Sequence, residues 1–207
     1  MKKNNLFSYR ADKYFTTREH PKAIKGEIKI VDPKQFVQFI KFVLSCRKYI
    51  PTIYKLIITL QLTLGARVSE ILNLTKDKIV FQNGKYYARI RIEKKRGKIE
   101  WRKAPISNFT VSLLNEWIKD LRPDEKLFNL DRSSVYRKYI YLFGIHPHCL
   151  RHSMITYQFE IQGWTIPKIM QYYHLTRQET VMRYFNTDTT QDCDDLILSW
   201  DKEASLE

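Results

Sequence analysis

Cysteine is scarce in this chain, and its placement excludes two common uses of the residue. The three cysteines, Cys46, Cys149 and Cys193, lie far apart, and no CxxC pair occurs. A disulfide framework uses an even number of cysteines, and a structural zinc site uses closely spaced pairs. The sequence therefore predicts no metal site of this kind and fits a reducing compartment, which we expect to be the cytoplasm.

Long apolar runs are also missing. The longest such stretch, residues 53–66, is interrupted by Lys55 and Gln61 and falls short of the roughly 20 residues that a bilayer requires. The two ends of the sequence show neither a signal peptide nor a lipidation motif. We therefore expect a soluble protein without a membrane partner, in which residues 53–66 form a buried helix.

Acidic residues are outnumbered, 22 against 36 lysines and arginines, which leaves a net charge of +14. Such a charge attracts polyanions over long range, and nucleic acid is the leading candidate. The charge is uneven, because residues 85–103 contain nine basic and two acidic residues, whereas residues 187–207 contain seven acidic and one basic. A solvated surface would explain either run alone, but so basic a hairpin repels itself unless phosphates neutralise it.

The spacing of apolar residues predicts a mainly α-helical protein with a small three-stranded antiparallel sheet, an α+β fold. Helical periodicity begins near Asp32 and returns after Ser107, and between them "KIVF", "YYARIRI" and "IEWRKAPI" alternate with period two. The Asn83-Gly84 pair and Gly97 mark the two turns of the sheet. We expect a basic arm over residues 1–30, a single domain over residues 31–186 and an acidic tail over residues 187–207.

Three of the five histidines lie within seven residues, in "HPHCLRH". His148 and Arg151 are three residues apart, so in a helix both side chains point the same way. A guanidinium matches two oxygens of a phosphate, and an imidazole beside it can donate or accept a proton. An ordinary surface pair is the commoner explanation of such a motif, so other residues must converge on it. We expect His146 and His152 to be structural.

Three further stretches could converge on that pair. "LTLGARVSEILNL" places Arg67 at a helix start, with Glu70 as its ordinary ion-pair partner, and "YYHLTRQETVMRYFN" contains His174 and Tyr184. The third stretch is the basic turn "EKKRGK" and the strand after it. The residues of this hairpin that we expect to bind DNA are Lys94, Arg96, Lys98, Arg102 and Lys103.

These four stretches, in this order, resemble the catalytic domain of the tyrosine recombinase, or phage integrase, family. That family has an arginine in a G-x-R-x-x-E context, a lysine at a β-hairpin turn, an H-x-x-R motif, a second histidine or tryptophan and a nucleophilic tyrosine. The resemblance covers residues 32–186 and implies the fold of that domain. The catalytic residues that it implies are Arg67, Lys95, His148, Arg151, His174 and Tyr184.

The resemblance also implies a reaction. The two arginines would bind the scissile phosphate of double-stranded DNA, and the two histidines would donate or transfer protons. Tyr184 would attack to form a 3′-phosphotyrosyl bond, and Lys95 would protonate the leaving 5′-oxygen, without metal ion, cofactor or ATP. Surrounding cations lower the cost of forming a phenolate. Self-association on DNA, as a tetramer in the recombination synapse, and a location at the nucleoid are further implications.

Some assignments stay open at this level. Tyr173 stands where the family commonly has glycine, and the spacing from His174 to Tyr184 is one residue longer than usual, although Tyr172 and Tyr173 fit the order of motifs less well as nucleophiles. Lys94 or Lys98 could replace Lys95. A type IB topoisomerase-like relaxation of DNA and a catalytically silent DNA-binding protein are the alternative functions. Only a basic arm precedes the domain, so we expect a fragment or a minimal enzyme.

Overall fold

The computed structural model describes residues 17–19, 29–46, 50–93 and 99–178. Within them, seven α-helices accompany a three-stranded antiparallel sheet, as the periodicity predicted. The helices are α1 (Phe36–Ser45), α2 (Thr52–Leu64), α3 (Val68–Leu72), α4 (Asn108–Ile118), α5 (Arg132–Phe143), α6 (Pro147–Glu160) and α7 (Ile166–Tyr173). The strands are β1 (Thr17–Glu19), β2 (Lys29–Val31), β3 (Ile79–Gln82), β4 (Lys85–Glu93) and β5 (Ile99–Pro105).

Two short strands lie within the predicted basic arm or at its end. Strand β1 pairs antiparallel with β2, so part of the sequence predicted as an arm is a strand. After β2, the Asp32 side chain accepts the backbone N–H of Lys34, and Pro33 begins a 3-10 turn that leads into α1. The predicted start of the helical part at Asp32 is confirmed.

The three-stranded sheet has the order β3-β4-β5, and its first turn lies where the sequence predicted. Asn83 and Gly84 both have positive φ, 51° and 73°, which is the backbone that a type I′ turn needs. Cross-strand pairing of Arg91 with Trp101 and of Arg89 with Lys103 places these side chains on the outer face of the sheet. Residues 94–98, between β4 and β5, lie outside the described residues.

Helix α2 runs through the centre of the core. Leu56, Ile57, Ile58, Leu60, Leu62 and Leu64 are all fully buried, and the helix packs against α1, α3, α4, α6 and β5. Its polar residue Gln61 is buried as well. The Gln61 amide donates to the carbonyl of Pro147 at 2.6 Å and accepts from the Tyr139 hydroxyl at 2.9 Å, which ties the start of α6 to the core.

Helix α2 ends at Gly65, as predicted, because this residue adopts the left-handed conformation with φ 55°. Arg67 is then the N-cap residue of α3, which begins at Val68. None of the helices in the described residues has the length and apolarity that a membrane span needs.

Candidate active site

Helix α6 presents the predicted histidine and arginine pair. His146 precedes its first turn and Pro147 occupies the first helical position, which suits the fixed φ of proline. Arg151 is almost fully buried, with 2% exposure, and its Nη1 donates to the carbonyl of Gly65 at 2.8 Å. The end of α2 and the middle of α6 are therefore joined by this guanidinium.

A single buried carboxylate stands between the two predicted arginines. Glu70 accepts the backbone N–H of Arg67 and the Arg67 side chain, both at 2.8 Å. The same carboxylate lies 3.7 Å from Nη1 of Arg151. The Arg67 side chain is 46% exposed, whereas that of Glu70 is only 8% exposed. The structure thus brings Arg67 and Arg151 together at one carboxylate, with Arg67 facing solvent.

A pocket of about 140 Å³ opens beside this cluster. Its lining contains no acidic side chain, and positive charge surrounds it, so it suits an anion such as a phosphate. Arg132, at the first position of α5, also lines the pocket, and it was not predicted as a site residue. The only sequence signal near it is Asp131, which caps the start of α5. The lining residues are Arg67, Val68, Ser69, Arg132, Tyr136, His146, Pro147 and His148.

His148 is neutral in this setting at physiological pH. Its pKa is lowered from 6.5 to about 4, first by desolvation of the ring and then by the positive charges of Arg151, Arg67 and Arg132. A neutral imidazole can accept a proton at one nitrogen and donate one at the other. An anion bound beside it would offset the surrounding positive charge and raise the pKa again.

The low pKa of His148 gives a testable titration. We expect its imidazole resonance to titrate in NMR with a midpoint near 4, and the midpoint to rise when inorganic phosphate or an oligonucleotide is added. Because the unfolded chain binds this proton at higher pH than the folded chain, the group weakens stability as pH falls from about 6.5 toward 4. A His148→Asn variant assigns the resonance. A midpoint at or above 6.5 in the free protein would contradict the assignment.

His174 is not among the residues that line this pocket, and it lies at the end of α7 beside the sheet. It follows the last residue of α7 in the left-handed conformation, with φ 52°, and its Nδ1 lies 2.7 Å from Oε2 of Glu100 on β5. A carboxylate in this position orients an imidazole and fixes its tautomer. Glu100 was not predicted from the sequence, because an acidic residue in a basic hairpin carries no signal of its own.

Tyr173 fills the space beneath Arg151. Its ring centroid lies 4.8 Å from the Arg151 guanidinium carbon, and its hydroxyl donates to Gln158 at 2.7 Å. The ring also covers Gly65, where a Cβ atom would lie only 2.6 Å from Cε1 of the tyrosine. The tyrosine that departs from the usual family glycine is therefore accommodated by a glycine elsewhere in the chain.

This close approach predicts different costs for two glycine substitutions. Gly65 and Gly144 both have left-handed backbones, φ 55° and 67°, but a Cβ at Gly144 would meet no atom within 4 Å. We expect Gly144→Ala to lower the free energy of unfolding by about 1–2 kcal/mol, from backbone strain alone. Gly65→Ala should lower it by roughly another 1–3 kcal/mol from overpacking against Tyr173. Denaturant unfolding measures both, and equal losses would contradict the packing of Tyr173.

The prediction that Arg102 binds DNA does not hold. Arg102 is 4% exposed and donates to the carbonyl of Leu64 at 2.8 Å, and its guanidinium carbon lies 4.8 and 5.2 Å from the ring centroids of Tyr172 and Tyr173. It therefore braces α7 against the sheet. Lys103 points to the opposite face, where it is exposed, with its Nζ 4.2 Å from the ring centroid of Tyr87, and it stays a predicted DNA contact.

The remaining predicted site residues lie outside the described residues. They are Lys94, Lys95, Arg96, Lys98 and Tyr184. Strands β4 and β5 are paired as far as Glu93 and Ile99, the residues directly before and after residues 94–98.

Comparison with known proteins agrees with this geometry. Residues 29–191 match the phage integrase family. Over 141 residues the chain is 32% identical to tyrosine recombinase XerA of Saccharolobus solfataricus (strain P2), a match that covers 66% of this chain and 45% of that protein.

Two solved structures give the same result at the level of the fold. The XerH site-specific recombinase bound to difH substrate matches 88% of this chain and 55% of its own, with a TM-score of 0.65 and 19% identity. The Tn1549 transposon integrase in complex with a circular intermediate DNA matches 85% and 67%, with a TM-score of 0.59 and 15% identity. The chain thus spans about half the length of the XerA and XerH proteins.

Proposed function

Because the chain belongs to the phage integrase family and has the tyrosine recombinase catalytic-domain fold, we propose that it cleaves and rejoins double-stranded DNA at specific sites through a 3′-phosphotyrosyl intermediate. The observation that carries this proposal is the convergence of Arg67 and Arg151 on the carboxylate of Glu70, beside His148. The adjoining pocket, lined by the cations Arg67 and Arg132 and by the neutral imidazole of His148, suits a phosphodiester.

The described residues divide the work in this proposal. The exposed Arg67 binds the scissile phosphate directly, and the buried Arg151 contributes positive charge from behind Glu70. His148, neutral at pH 7, donates to a phosphate oxygen or accepts a proton. Fixed guanidinium groups stabilise the negative charge that grows on the phosphate oxygens, a task that a metal ion performs in some other phosphoryl-transfer enzymes. No metal or cofactor is part of the proposal.

In the proposed reaction, one bond to phosphorus forms as another breaks. The hydroxyl oxygen of Tyr184 bonds to phosphorus as its proton passes to the neutral imidazole of His148. The bond from phosphorus to the 5′-oxygen breaks, and Lys95 gives a proton to that oxygen. A 5′-hydroxyl of another strand reverses these steps and rejoins the backbone. The covalent intermediate keeps the energy of the broken bond, so the proposal requires no ATP.

Assembly on DNA belongs to the same proposal. The XerH structure and the Tn1549 structure are of recombinases with bound DNA, which supports DNA as the partner. Exchange of strands requires two duplexes held together, for which we propose a tetramer. The acidic residues 187–207 lie outside the described residues, and their docking on a neighbouring protomer stays a prediction. We place the protein in the cytoplasm, at the nucleoid.

Covalent trapping tests the proposal. The protein is incubated with a pool of nicked duplexes of randomised sequence, in which loss of a short fragment prevents rejoining, and DNA that stays attached in detergent is recovered. We expect attached DNA enriched in one sequence, and peptide mapping to find it on Tyr184. Binding without attachment would support the catalytically silent alternative. Relaxation of any supercoiled plasmid would support the topoisomerase alternative.

A further inference from the structure

A second cationic groove, of about 560 Å³, lies next to the active-site pocket and shares Arg67 with it. Two of its cations, Arg91 and Lys126, belong to no motif of the sequence analysis. Because Arg67 lines both concavities, they are neighbours on one surface. The groove is lined by Arg67, Ser69, Glu70, Asn73, Arg91 and Lys126.

Each wall of the groove is held by backbone hydrogen bonds. Ser69 and Asn73 are exposed residues at α3, and Arg91 is exposed on the outer face of the sheet. Lys126 is positioned by the backbone, because its neighbour Leu127 donates to the carbonyl of Leu74 at 2.9 Å. Its Nζ donates to the side-chain oxygen of Asn73 at 3.2 Å. The cations are thus placed on a rigid frame around an open space.

The charge of the groove favours an anion. Its single carboxylate, Glu70, is already bonded to Arg67, lies near Arg151 and is only 8% exposed. Three cations, Arg67, Arg91 and Lys126, therefore line the groove against this one carboxylate. The hydroxyl of Ser69 and the amide of Asn73 are neutral hydrogen-bonding groups on the same wall. Guanidinium and ammonium groups with neutral donors are the usual contacts of a nucleic-acid phosphate.

The shared Arg67 indicates which anion suits the surface. A free phosphate would occupy one concavity at a time, whereas the backbone of a nucleic acid offers successive phosphates to both. We propose that this groove binds a backbone phosphate next to the one in the active-site pocket, and so fixes the register of the duplex on the protein. The proposal rests on the proposed function and adds Arg91 and Lys126 as DNA-binding residues.

The groove predicts a specific effect on binding. Arg91→Ala should weaken binding of the DNA recovered by trapping about tenfold or more. The slope of log K against log salt should also become shallower by about 0.9, the amount for one lost phosphate contact. Arg89→Ala is the matched control, because it removes the same charge from the same exposed face of β4 but does not line the groove. Lys126→Ala should resemble Arg91→Ala, and Arg91→Lys should restore most of the binding.

A substrate modification locates the phosphate. Replacing one backbone phosphate at a time by an uncharged methylphosphonate should weaken wild-type binding at one position beside the scissile phosphate. The same replacement should weaken DNA binding by the Arg91→Ala protein only slightly, because this variant has already lost the contact with that phosphate. The proposal would be overturned if Arg91→Ala and Arg89→Ala weakened DNA binding equally. It would also be overturned if the loss of binding caused by Arg91→Ala were independent of the loss caused by every methylphosphonate.

The two proposals fail in different ways. If the wild-type protein never becomes attached to the nicked pool, the proposed function fails, and the groove can still be tested by equilibrium binding to a duplex of arbitrary sequence. If the wild-type protein attaches and the Arg91 and Arg89 variants bind alike, only the groove proposal fails.

Discussion

Replacing Glu70 by alanine is expected to lower the free energy of unfolding by about 3–5 kcal/mol. The Glu70 side chain is 8% exposed and that of Arg151 is 3% exposed, and their charged atoms lie 3.7 Å apart. Removing the carboxylate takes an anion away from the buried Arg151 charge and also removes the capping box of α3. For a protein of this size, a loss of that order lowers Tm by roughly 10 °C. Calorimetry or denaturant unfolding measures it.

Two comparisons separate this effect from an ordinary loss of charge. Glu116→Ala removes an exposed carboxylate from α4 and should change stability by no more than about 0.5 kcal/mol. Inorganic phosphate should stabilise the Glu70→Ala protein more than the wild type, because an anion can then neutralise the two arginines. A Glu70→Ala protein with the stability of the wild type would show that Arg151 does not depend on this carboxylate.

The fold was predictable because its signals are local. The Asn83-Gly84 turn is specified by two adjacent residues, both of which have positive φ in the structure. The end of α2 was predicted by Gly65, which takes the left-handed conformation. The change in the spacing of apolar residues, from the helical period to period two and back, then separates the sheet from the helices. Each of these signals lies within one element or at its boundary.

Half of the site was predictable for the same reason. Arg67 with Glu70, and His148 with Arg151, are pairs three residues apart, so the spacing alone gives their relative placement. The structure adds that one carboxylate serves both arginines. That arrangement depends on how α3 packs beside α6, and no short-range pattern contains this information.

Strand β5 shows why the other half was not predictable. Its hydrophobic Trp101 is 46% exposed, while Arg102 beside it is 4% exposed, the reverse of what an apolar core prefers. The cause lies in α7, where the rings of Tyr172 and Tyr173 cover the guanidinium at 4.8 and 5.2 Å. Contacts between aromatic faces and a cation compensate its burial. The residues that accompany the burial of Arg102 are therefore 70 and 71 positions away in the sequence, where no local pattern could indicate them.

A Tyr184→Phe variant is expected to bind DNA as the wild type does and to form no covalent complex. The substitution removes only the hydroxyl oxygen that the proposed reaction bonds to phosphorus, and it leaves the charge of the binding surface unchanged. Tyr173→Phe is the informative control, because this tyrosine lies beside Arg151 and would otherwise be a competing nucleophile. Mobility shift measures binding, and gel electrophoresis in detergent measures attachment.

The structure argues against nucleophilic attack by either tyrosine of α7. The Tyr173 side chain is buried, with its hydroxyl bonded to Gln158 and its ring packed against Gly65, so it cannot reach a phosphate without leaving the core. Burial raises the pKa of Tyr172 above its ordinary value of 10, which disfavours the phenolate.

Tyr173→Phe should therefore keep covalent attachment and lose only about 1 kcal/mol of stability with its hydrogen bond. Attachment that persists in Tyr184→Phe and disappears in Tyr173→Phe, with both proteins folded by calorimetry, would transfer the nucleophile to Tyr173. It would also require α7 to move away from Gly65 before cleavage, since the hydroxyl has no route to DNA in the structure described here.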